Sequence, residues 1–233
     1  MDETGPHAGQ DTGPGRHVHC GEAPNQEVAQ RRRRAVLAGH HGEEATARGL
    51  LADPEAVVRA AAVGALERIG TLTDDELAHA LTDSDPAVRR RALEVLGSTG
   101  EPRPTVAVEA LLELLQDPDG SVVEVACWTA GEHPDLADDL VAPVVAVATG
   151  HDDPMCRESA VAALGALGHG GGRDAVLGGL AERASIRRRA VLALAAFEGP
   201  EVEAALVAAL KDRDWQVRQA AEDLLGIEAP AKD

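Results

Sequence analysis

The feature that most constrains the fold is a short pattern that recurs six times along the chain. A β-branched residue and an arginine are followed, at fixed intervals, by an alanine and a leucine. The copies start at Val58, Val88, Val122, Cys156, Ile186 and Val217. Their second positions are 30, 34, 34, 30 and 31 residues apart, and the third copy has Val123 in place of arginine. A regular period of this length predicts stacked structural repeats.

Each copy has the spacing of an amphipathic helix. Val58, Ala62, Leu66 and Ile69 recur three and four residues apart, which places them on one stripe of a helix. A shorter apolar-periodic segment precedes each copy, so each repeat is predicted to be an antiparallel helix pair. One pair cannot bury its own apolar face, but stacked pairs bury it for one another. The sequence therefore predicts an all-α fold, an α-solenoid of about six helical hairpins.

Start and stop signals for these helices recur with the pattern. Aspartate can cap free N–H groups and proline is tolerated in the first turn, so Asp-Pro pairs predict helix starts. They occupy residues 53–54, 85–86, 117–118 and 153–154. Gly70, Gly97 and Gly165 are predicted to end helices, because glycine accepts the left-handed C-terminal turn.

The pattern also divides the chain. Residues 26–226 are predicted to form the solenoid, with residues 27–39 as a leading half-repeat, because residues 32–38 match residues 187–193. Residues 1–25 carry Gly, Pro, His and acidic residues without periodicity, which predicts a disordered polar tail. Residues 227–233 are predicted to be a flexible C-terminal tail.

Composition supports helices and limits the partners. Apolar residues make up 44% of the chain but aromatic residues only 1%, so the core consists of Ala, Val and Leu, which suits closely packed helices. The formal charge of −18 repels phosphates, so nucleic acid and anionic membranes are unfavourable partners and a cationic protein or peptide is favoured. The same acidity could serve solubility alone.

The cysteines and the hydropathy pattern indicate a compartment. Three cysteines lie far apart without a CxxC pair, which favours a reducing environment. No apolar run approaches the ~20 residues of a spanning helix, and the first residues lack the apolar segment of a signal peptide. The sequence predicts a cytoplasmic protein and leaves its oligomeric state open.

These repeats resemble the HEAT repeat family, in its short bacterial form related to phycobilisome-lyase-like repeats, over roughly residues 27–226. In that family an aspartate and an arginine six residues later form a ladder between neighbouring repeats. The resemblance implies such a structural ladder here, with the members Asp53, Arg59, Asp83, Arg89, Arg157, Arg187, Asp212 and Arg218. Val123 follows Asp117 where the arginine is expected, so the ladder should break in the third repeat. His151 and Ala181 replace the aspartate in the next two repeats and weaken it further.

Two classes of enzyme that share this fold require residues that the chain lacks, whereas phycobilisome lyases have no compact motif by which they could be excluded. Di-iron hydroxylases use His-Glu dipeptides on successive repeats, and no histidine here is followed by glutamate. DNA glycosylases need a basic, aromatic-rich concave face, whereas the basic residues here cluster only at residues 31–34. His17, His19 and Cys20 could bind metal adventitiously but have no second ligand pair for zinc. Cys127 and Cys156 fall on apolar stripes, as buried fillers do. We predict no catalytic residue, no cofactor and no metal site.

One candidate binding patch emerges from the helical register. In HEAT-type stacks the second helix of each pair lines the concave surface, and residues one and five positions after the repeat arginine should face outward. This register places Trp128 on that face, near the middle of the solenoid, with Glu94, Glu124, Glu132 and Glu158 around it. A tryptophan among carboxylates suits an Arg- or Lys-bearing segment. Alternatively, Trp128 only fills space between helices. Trp215 is interpreted as a packing residue or as part of a C-terminal cap.

Two functions follow from these observations. The first is a non-catalytic protein–protein interaction scaffold or adaptor with an acidic concave groove for a cationic segment. The second is a lyase-like enzyme, or an enzyme accessory or chaperone, of the phycobilisome-lyase-like branch. An enzyme requires titratable residues that converge in one pocket, whereas a scaffold requires only an extended groove.

Overall fold

The computed structural model describes residues 23–98 and 104–227, which form thirteen α-helices and three short 3₁₀ segments. Most of the predicted tail, residues 1–22, lies outside the described residues, as do residues 228–233. The first helix begins at Ala23, so residues 23–25 are helical although the sequence assigned them to the tail.

The helices form six antiparallel pairs behind one leading helix, α1 (Ala23–His41). The first helices of the pairs are α2 (Glu44–Gly49), α4 (Asp74–Leu81), α6 (Pro104–Leu114), α8 (Ala137–Gly150), α10 (Arg173–Gly179) and α12 (Pro200–Ala209). The second helices are α3 (Ala56–Ile69), α5 (Pro86–Ser98), α7 (Gly120–Gly131), α9 (Pro154–Leu167), α11 (Ala184–Ala193) and α13 (Trp215–Leu225). Consecutive second helices pack side by side from α1 to α13. The predicted all-helical solenoid of about six hairpins is confirmed.

The core runs through the stack as a nearly continuous layer. The pattern residues Val58, Ala62 and Leu66 are fully buried, and the equivalent positions of α5, α7, α9 and α11 are buried as well. Each repeat thus covers the apolar face of the next. Fully burying one leucine stabilises the fold by roughly 2 kcal/mol relative to leaving it exposed.

Glycines inside the second helices allow these helices to approach closely. Gly70 ends α3 in the left-handed conformation, with φ 78°, as the sequence predicts. Gly97 and Gly165 instead lie within α5 and α9, so the prediction that they end helices is wrong. A Cβ added to Gly165 would lie 2.7 Å from the Cβ of Ala193 on the neighbouring helix. Glycine is needed there for space rather than for a left-handed turn.

Two positions before the second helices, rather than one, carry the aspartates that were interpreted as start signals. Asp85, Asp119, Asp153 and Asp214 accept a hydrogen bond from the backbone N–H two residues later, at the start of their helices. Asp53 and Asp117 lie two residues before that position. The sequence interpretation combined the two positions into a single start signal.

The earlier aspartate is the one that belongs to the arginine ladder. Arg59 donates from Nε and Nη2 to both carboxylate oxygens of Asp83 at 2.8 and 2.7 Å, and its Nη1 donates to the backbone oxygen of Asp53. Arg89 contacts Asp117 in the same way, and Arg187 contacts Asp212. Each arginine therefore joins its own repeat to the next through a paired, geometrically specific contact.

The ladder changes at both of its ends. At the N-terminal end Arg31 donates to Asp53 at 2.8 Å, so the half-repeat joins the ladder through Arg31. The match of residues 32–38 to residues 187–193 had implied Arg32 instead. At the C-terminal end Arg218 donates to the backbone oxygen of Asp212.

In the third repeat, Val123 replaces the ladder arginine. Val123 is buried, and the Cys156 thiol contacts the backbone oxygen of Gly120 at 3.2 Å. The next arginine, Arg157, donates to the His151 backbone oxygen and, at 3.3 Å, to Glu182. Glu182 follows Ala181, so the contact to the fifth repeat survives through a longer side chain that the sequence reasoning missed.

We expect Gly165→Ala to lower the free energy of unfolding by about 1–3 kcal/mol, because its new Cβ overlaps Ala193. The matched control is Gly178→Ala in α10, where a Cβ meets nothing within 4 Å, and it should raise stability by up to about 1 kcal/mol. Urea unfolding followed by circular dichroism measures both. Equal effects at the two sites would contradict the role of Gly165 in helix packing.

We expect Asp83→Asn to lower the free energy of unfolding by about 2 kcal/mol at neutral pH, because it breaks the contact to Arg59. The Arg59 guanidinium holds the pKa of Asp83 below its ordinary value. This contribution is therefore complete above the ordinary aspartate pKa of about 3.9 and is lost as the pH falls through the lower folded-state value. Acid titration of stability should show a smaller loss in the variant. Substitution of the exposed Asp152 by asparagine should change stability by less than about 0.5 kcal/mol.

Candidate binding groove on the second helices

A cavity of about 660 Å³ opens on the surface formed by the second helices α5, α7, α9 and α11. Four glutamates and one tryptophan line it together with small apolar residues and one arginine. The five residues predicted for partner binding, Trp128, Glu94, Glu124, Glu132 and Glu158, all lie in this lining. The helical register therefore brings residues that are 64 positions apart in sequence to one place.

Trp128 is both packed and exposed. One edge of its ring lies over Gly97 of α5, where a Cβ would come within 2.7 Å of the ring carbon Cζ3. The side chain nevertheless keeps 43% of its surface accessible to solvent. Its neighbour Thr129 is fully buried and donates from Oγ1 to the Leu93 backbone oxygen at 3.1 Å, which fixes α7 against α5. The indole is thus held in place on one side and presents the other side to the cavity.

The glutamates give the cavity a net negative charge. Glu94 pairs with Arg91 at 2.9 Å, and Glu158 lies 3.8 Å from Arg189, which is itself part of the lining. Glu124 and Glu132 form no ion pair with any described residue. Glu132 also caps the C-terminus of α7, where the helix dipole adds partial negative charge. Two of the four carboxylates are thus offset by arginines, and the two unpaired ones, Glu124 and Glu132, favour a cation in this cavity.

The apolar part of the lining contains a residue that the sequence reasoning missed. Met155 is 51% exposed and lies in the cavity beside Ala162 and Ala166. Its position is two residues before the repeat arginine, and Val57, in the same register of α3, is also exposed. The register could have identified Met155 if positions before the arginine had been considered.

The second-helix surface continues beyond this cavity with a different charge. A neighbouring cavity of about 540 Å³ lies on α1, α3 and α5, and its lining includes Arg32, Arg68 and Arg91 but no carboxylate. On the other side, α9 and α11 form a cavity of about 370 Å³ with a mainly apolar lining. The groove predicted to be acidic is thus acidic only in its middle.

Other candidate residues of the sequence lie elsewhere. Cys127 and Cys156 are buried, and burial raises the pKa of both thiols, that of Cys156 to about 11. Both thiols therefore remain protonated at neutral pH. Trp215 is 64% exposed at the start of α13, so its prediction as a packing residue is wrong.

His17, His19 and Cys20, the residues considered for adventitious metal binding, lie outside the described residues. Within residues 23–98 and 104–227, no group of three or more His, Cys, Asp or Glu side chains is arranged to hold a metal ion. No helix in these ranges has the length and apolar character needed to cross a membrane.

We expect the solvent near Trp128 to favour cations. Trp215→Phe leaves Trp128 as the single tryptophan in a protein without tyrosine, so its fluorescence can be observed alone. Relative to a free indole at equal ionic strength, the ratio of caesium to iodide quenching should be higher, because carboxylates surround the ring. Replacing Glu124 and Glu132 by glutamine should bring this ratio closer to that of the free indole. A ratio equal to that of the free indole in the unsubstituted cavity would contradict its negative potential.

Comparisons with known proteins agree with this architecture. The profile of HEAT repeats matches residues 43–128 and 108–185, and that of the PBS lyase HEAT-like repeat matches residues 186–212. A search of curated proteins gives no match.

Similar solved structures are also helical repeat proteins or engineered proteins. An engineered protein superimposes with a TM-score of 0.58 at 18% identity, over 79% of this chain and 95% of its own. The Escherichia coli protein YIBA gives 0.57 at 16% identity, over 79% of this chain and 73% of its own. A designed armadillo repeat protein in complex with the peptide (KR)₄ gives a TM-score of 0.55 at 16% identity, over 77% of this chain and 96% of its own. The likeness to these structures is one of fold, whereas the repeat profile matches more than half of the sequence, so the chain belongs to the family of HEAT repeat proteins.

Proposed function

We propose that this protein is a non-catalytic interaction scaffold that binds an Arg- or Lys-bearing segment of another protein in the Trp128 cavity. The observation that carries the proposal is the exposed indole of Trp128, held over Gly97 and surrounded by four glutamates. We further propose that it acts in the reducing cytoplasm that its cysteine pattern favours.

The shape and the chemistry of the cavity both support this role. A volume of about 660 Å³ accommodates one or two long side chains. The aliphatic stem of an arginine or lysine would pack on Trp128, Met155 and Ala162, while its charged end meets the carboxylates. A cation over an indole face gains roughly 0.5–2 kcal/mol, depending on how far it is desolvated.

The electrostatics favour a cationic segment over an acidic one. Glu124 and Glu132 have no ion-pair partner among the described residues, and they lie on one helix and its cap, beside the ring. Such carboxylates accelerate the encounter with a cationic partner and select against acidic ones. The rigid, partly exposed tryptophan would then supply the contact area typical of an interface hot spot.

The fold also supports a peptide partner. The designed armadillo repeat protein that resembles this chain is in complex with the peptide (KR)₄, an alternating lysine–arginine segment. Another similar structure belongs to armadillo repeat proteins designed for modular peptide recognition. Solenoids present long surfaces of stacked helices on which an extended segment can lie.

A lyase-like enzyme, or an enzyme accessory or chaperone, is the alternative function. The PBS lyase HEAT-like repeat profile favours it, although it matches only residues 186–212. That match lies mainly on α11 and α12, whereas the cavity with the charged lining lies mainly on α7 and α9. The arrangement of the cavity therefore favours the scaffold.

The test is the affinity for a fluorescein-labelled peptide with three arginines in a neutral Gly/Ser background, measured by fluorescence anisotropy. Trp128→Ala should weaken binding by about tenfold or more, because it removes the central contact surface. Glu124→Gln combined with Glu132→Gln should weaken it about three- to tenfold, and added salt should reduce this difference.

The matched control removes the same charge elsewhere on the protein. Glu109 and Glu113 are exposed on α6, outside the cavity lining, so their double replacement by glutamine should change affinity by less than about twofold. Circular dichroism checks that all variants fold. If the cavity variants and the α6 variant weaken binding equally, the peptide binds through overall charge and the proposed site is wrong.

A further inference from the structure

The second-helix surface changes its charge between two adjoining cavities. The Trp128 cavity carries four glutamates and one arginine. The cavity on α1, α3 and α5, named here the arginine cavity, carries three arginines, Arg32, Arg68 and Arg91, over a floor that includes Val36 and Val57. This local positive charge stands in a chain with a net charge of −18.

Two of the three arginines are available to a ligand. Arg32 and Arg68 are exposed, and neither forms an ion pair with a described residue. Arg31, the residue before Arg32, by contrast donates to Asp53 in the ladder. Adjacent arginines of α1 therefore have different roles: Arg31 belongs to the structural ladder, and Arg32 lies in the groove.

The third arginine marks the boundary between the two cavities. Arg91 donates to Glu94 at 2.9 Å, one turn further along α5, and each of the two residues lines a different cavity. The Arg91 guanidinium lies over Gly64 of α3, where a Cβ would overlap it. Glycine at this position thus allows the guanidinium to lie flat across the groove, and the charge of the groove changes sign at α5.

We propose that the bound segment has two opposite charges in a fixed order, with Glu or Asp side chains in the arginine cavity and Arg or Lys side chains in the Trp128 cavity. This proposal rests on the proposed function and specifies the partner further. Exposed Val36 and Val57 provide an apolar surface for the stems of the acidic side chains. Charge complementarity over both cavities would fix the register of the segment and give it an advantage over a purely basic one.

The distance between the cavities sets the spacing of the two charges. The arginine cavity centres on α3 and the Trp128 cavity on α7, which are two helix spacings apart. Packed helices lie about 8–10 Å apart, so the separation is roughly 16–20 Å. An extended chain advances about 3.3 Å per residue, and five or six residues therefore span it, on the order of one short peptide motif.

Three peptides with blocked ends test the proposal. The first has three glutamates, a Gly/Ser spacer of two or three residues and three arginines, so that the centres of the two charged blocks lie about five or six residues apart. The second has glutamines in place of the glutamates. The third has the composition of the first but alternates glutamate and arginine. We expect the first to bind about five- to tenfold more tightly than the second and more tightly than the third, because it alone places both charges in complementary cavities.

Substitutions in the arginine cavity test whether the glutamates of the first peptide bind there. Arg32→Gln combined with Arg68→Gln should abolish the advantage of the first peptide and leave the affinity for the second peptide within about twofold. Arg33→Gln combined with Arg34→Gln removes the same charge from two exposed arginines of α1 outside the cavity lining; this variant serves as the matched control and should preserve the advantage. Arg32→Glu with Arg68→Glu should reverse the preference in favour of a peptide with arginines at both ends.

The outcomes separate the two proposals. If the second peptide binds in a Trp128-dependent manner and the glutamates add nothing, the scaffold function holds and the two-charge partner is wrong. The same conclusion follows if the glutamates help equally in the Arg32/Arg68 variant, because their contact then lies elsewhere. If no peptide binds in a Trp128-dependent manner, the scaffold function fails, and the two-charge partner fails with it.

Discussion

Close packing between consecutive second helices is the constraint on which the other features of this protein depend. Small residues make the packing possible: a Cβ at Gly165 would overlap Ala193, and one at Gly131 would come within 3.2 Å of the Ala166 Cβ. Because the helices are this close, side chains from four of them can line one cavity. A core of larger residues would separate the helices and divide the groove.

The arginine–aspartate ladder fixes the register of neighbouring repeats within this packing. Apolar contacts between small side chains tolerate sliding, whereas a two-point contact such as Arg59 to Asp83 holds two repeats in one register. The exception at Val123 occurs on α7, the helix that also carries Trp128. There the register is maintained by the buried Thr129–Leu93 hydrogen bond and by the packing of Gly131 against α9. The helix at the centre of the proposed site is thus fixed by short-range packing on both sides.

Much of the fold and part of the site could be predicted from the sequence, because one register repeats six times. Knowing where Arg59 points indicates where Trp128 and Glu94 point, since both lie five residues after the repeat position in their own helices. The errors arose where periodicity carries no information. Whether Gly165 ends a helix or makes room for a neighbour depends on the next repeat, and the register of α1 could not be determined because residues 31–34 are four identical arginines.

The charge of the groove likewise depends on the local arrangement of residues and not on the average over the chain. The net charge of −18 and the glutamates around Trp128 led to the expectation of an acidic concave groove. The sign at any point of the groove depends instead on the few residues that the register turns outward. Arg32 and Glu124 both lie one residue after the repeat position of their helices, yet they line cavities of opposite charge. Since screening limits the reach of an exposed charge to about 8–10 Å, roughly one helix spacing, each cavity responds mainly to its own lining. A solenoid can therefore present two charge preferences side by side, and the order of its repeats determines the order in which a partner meets them.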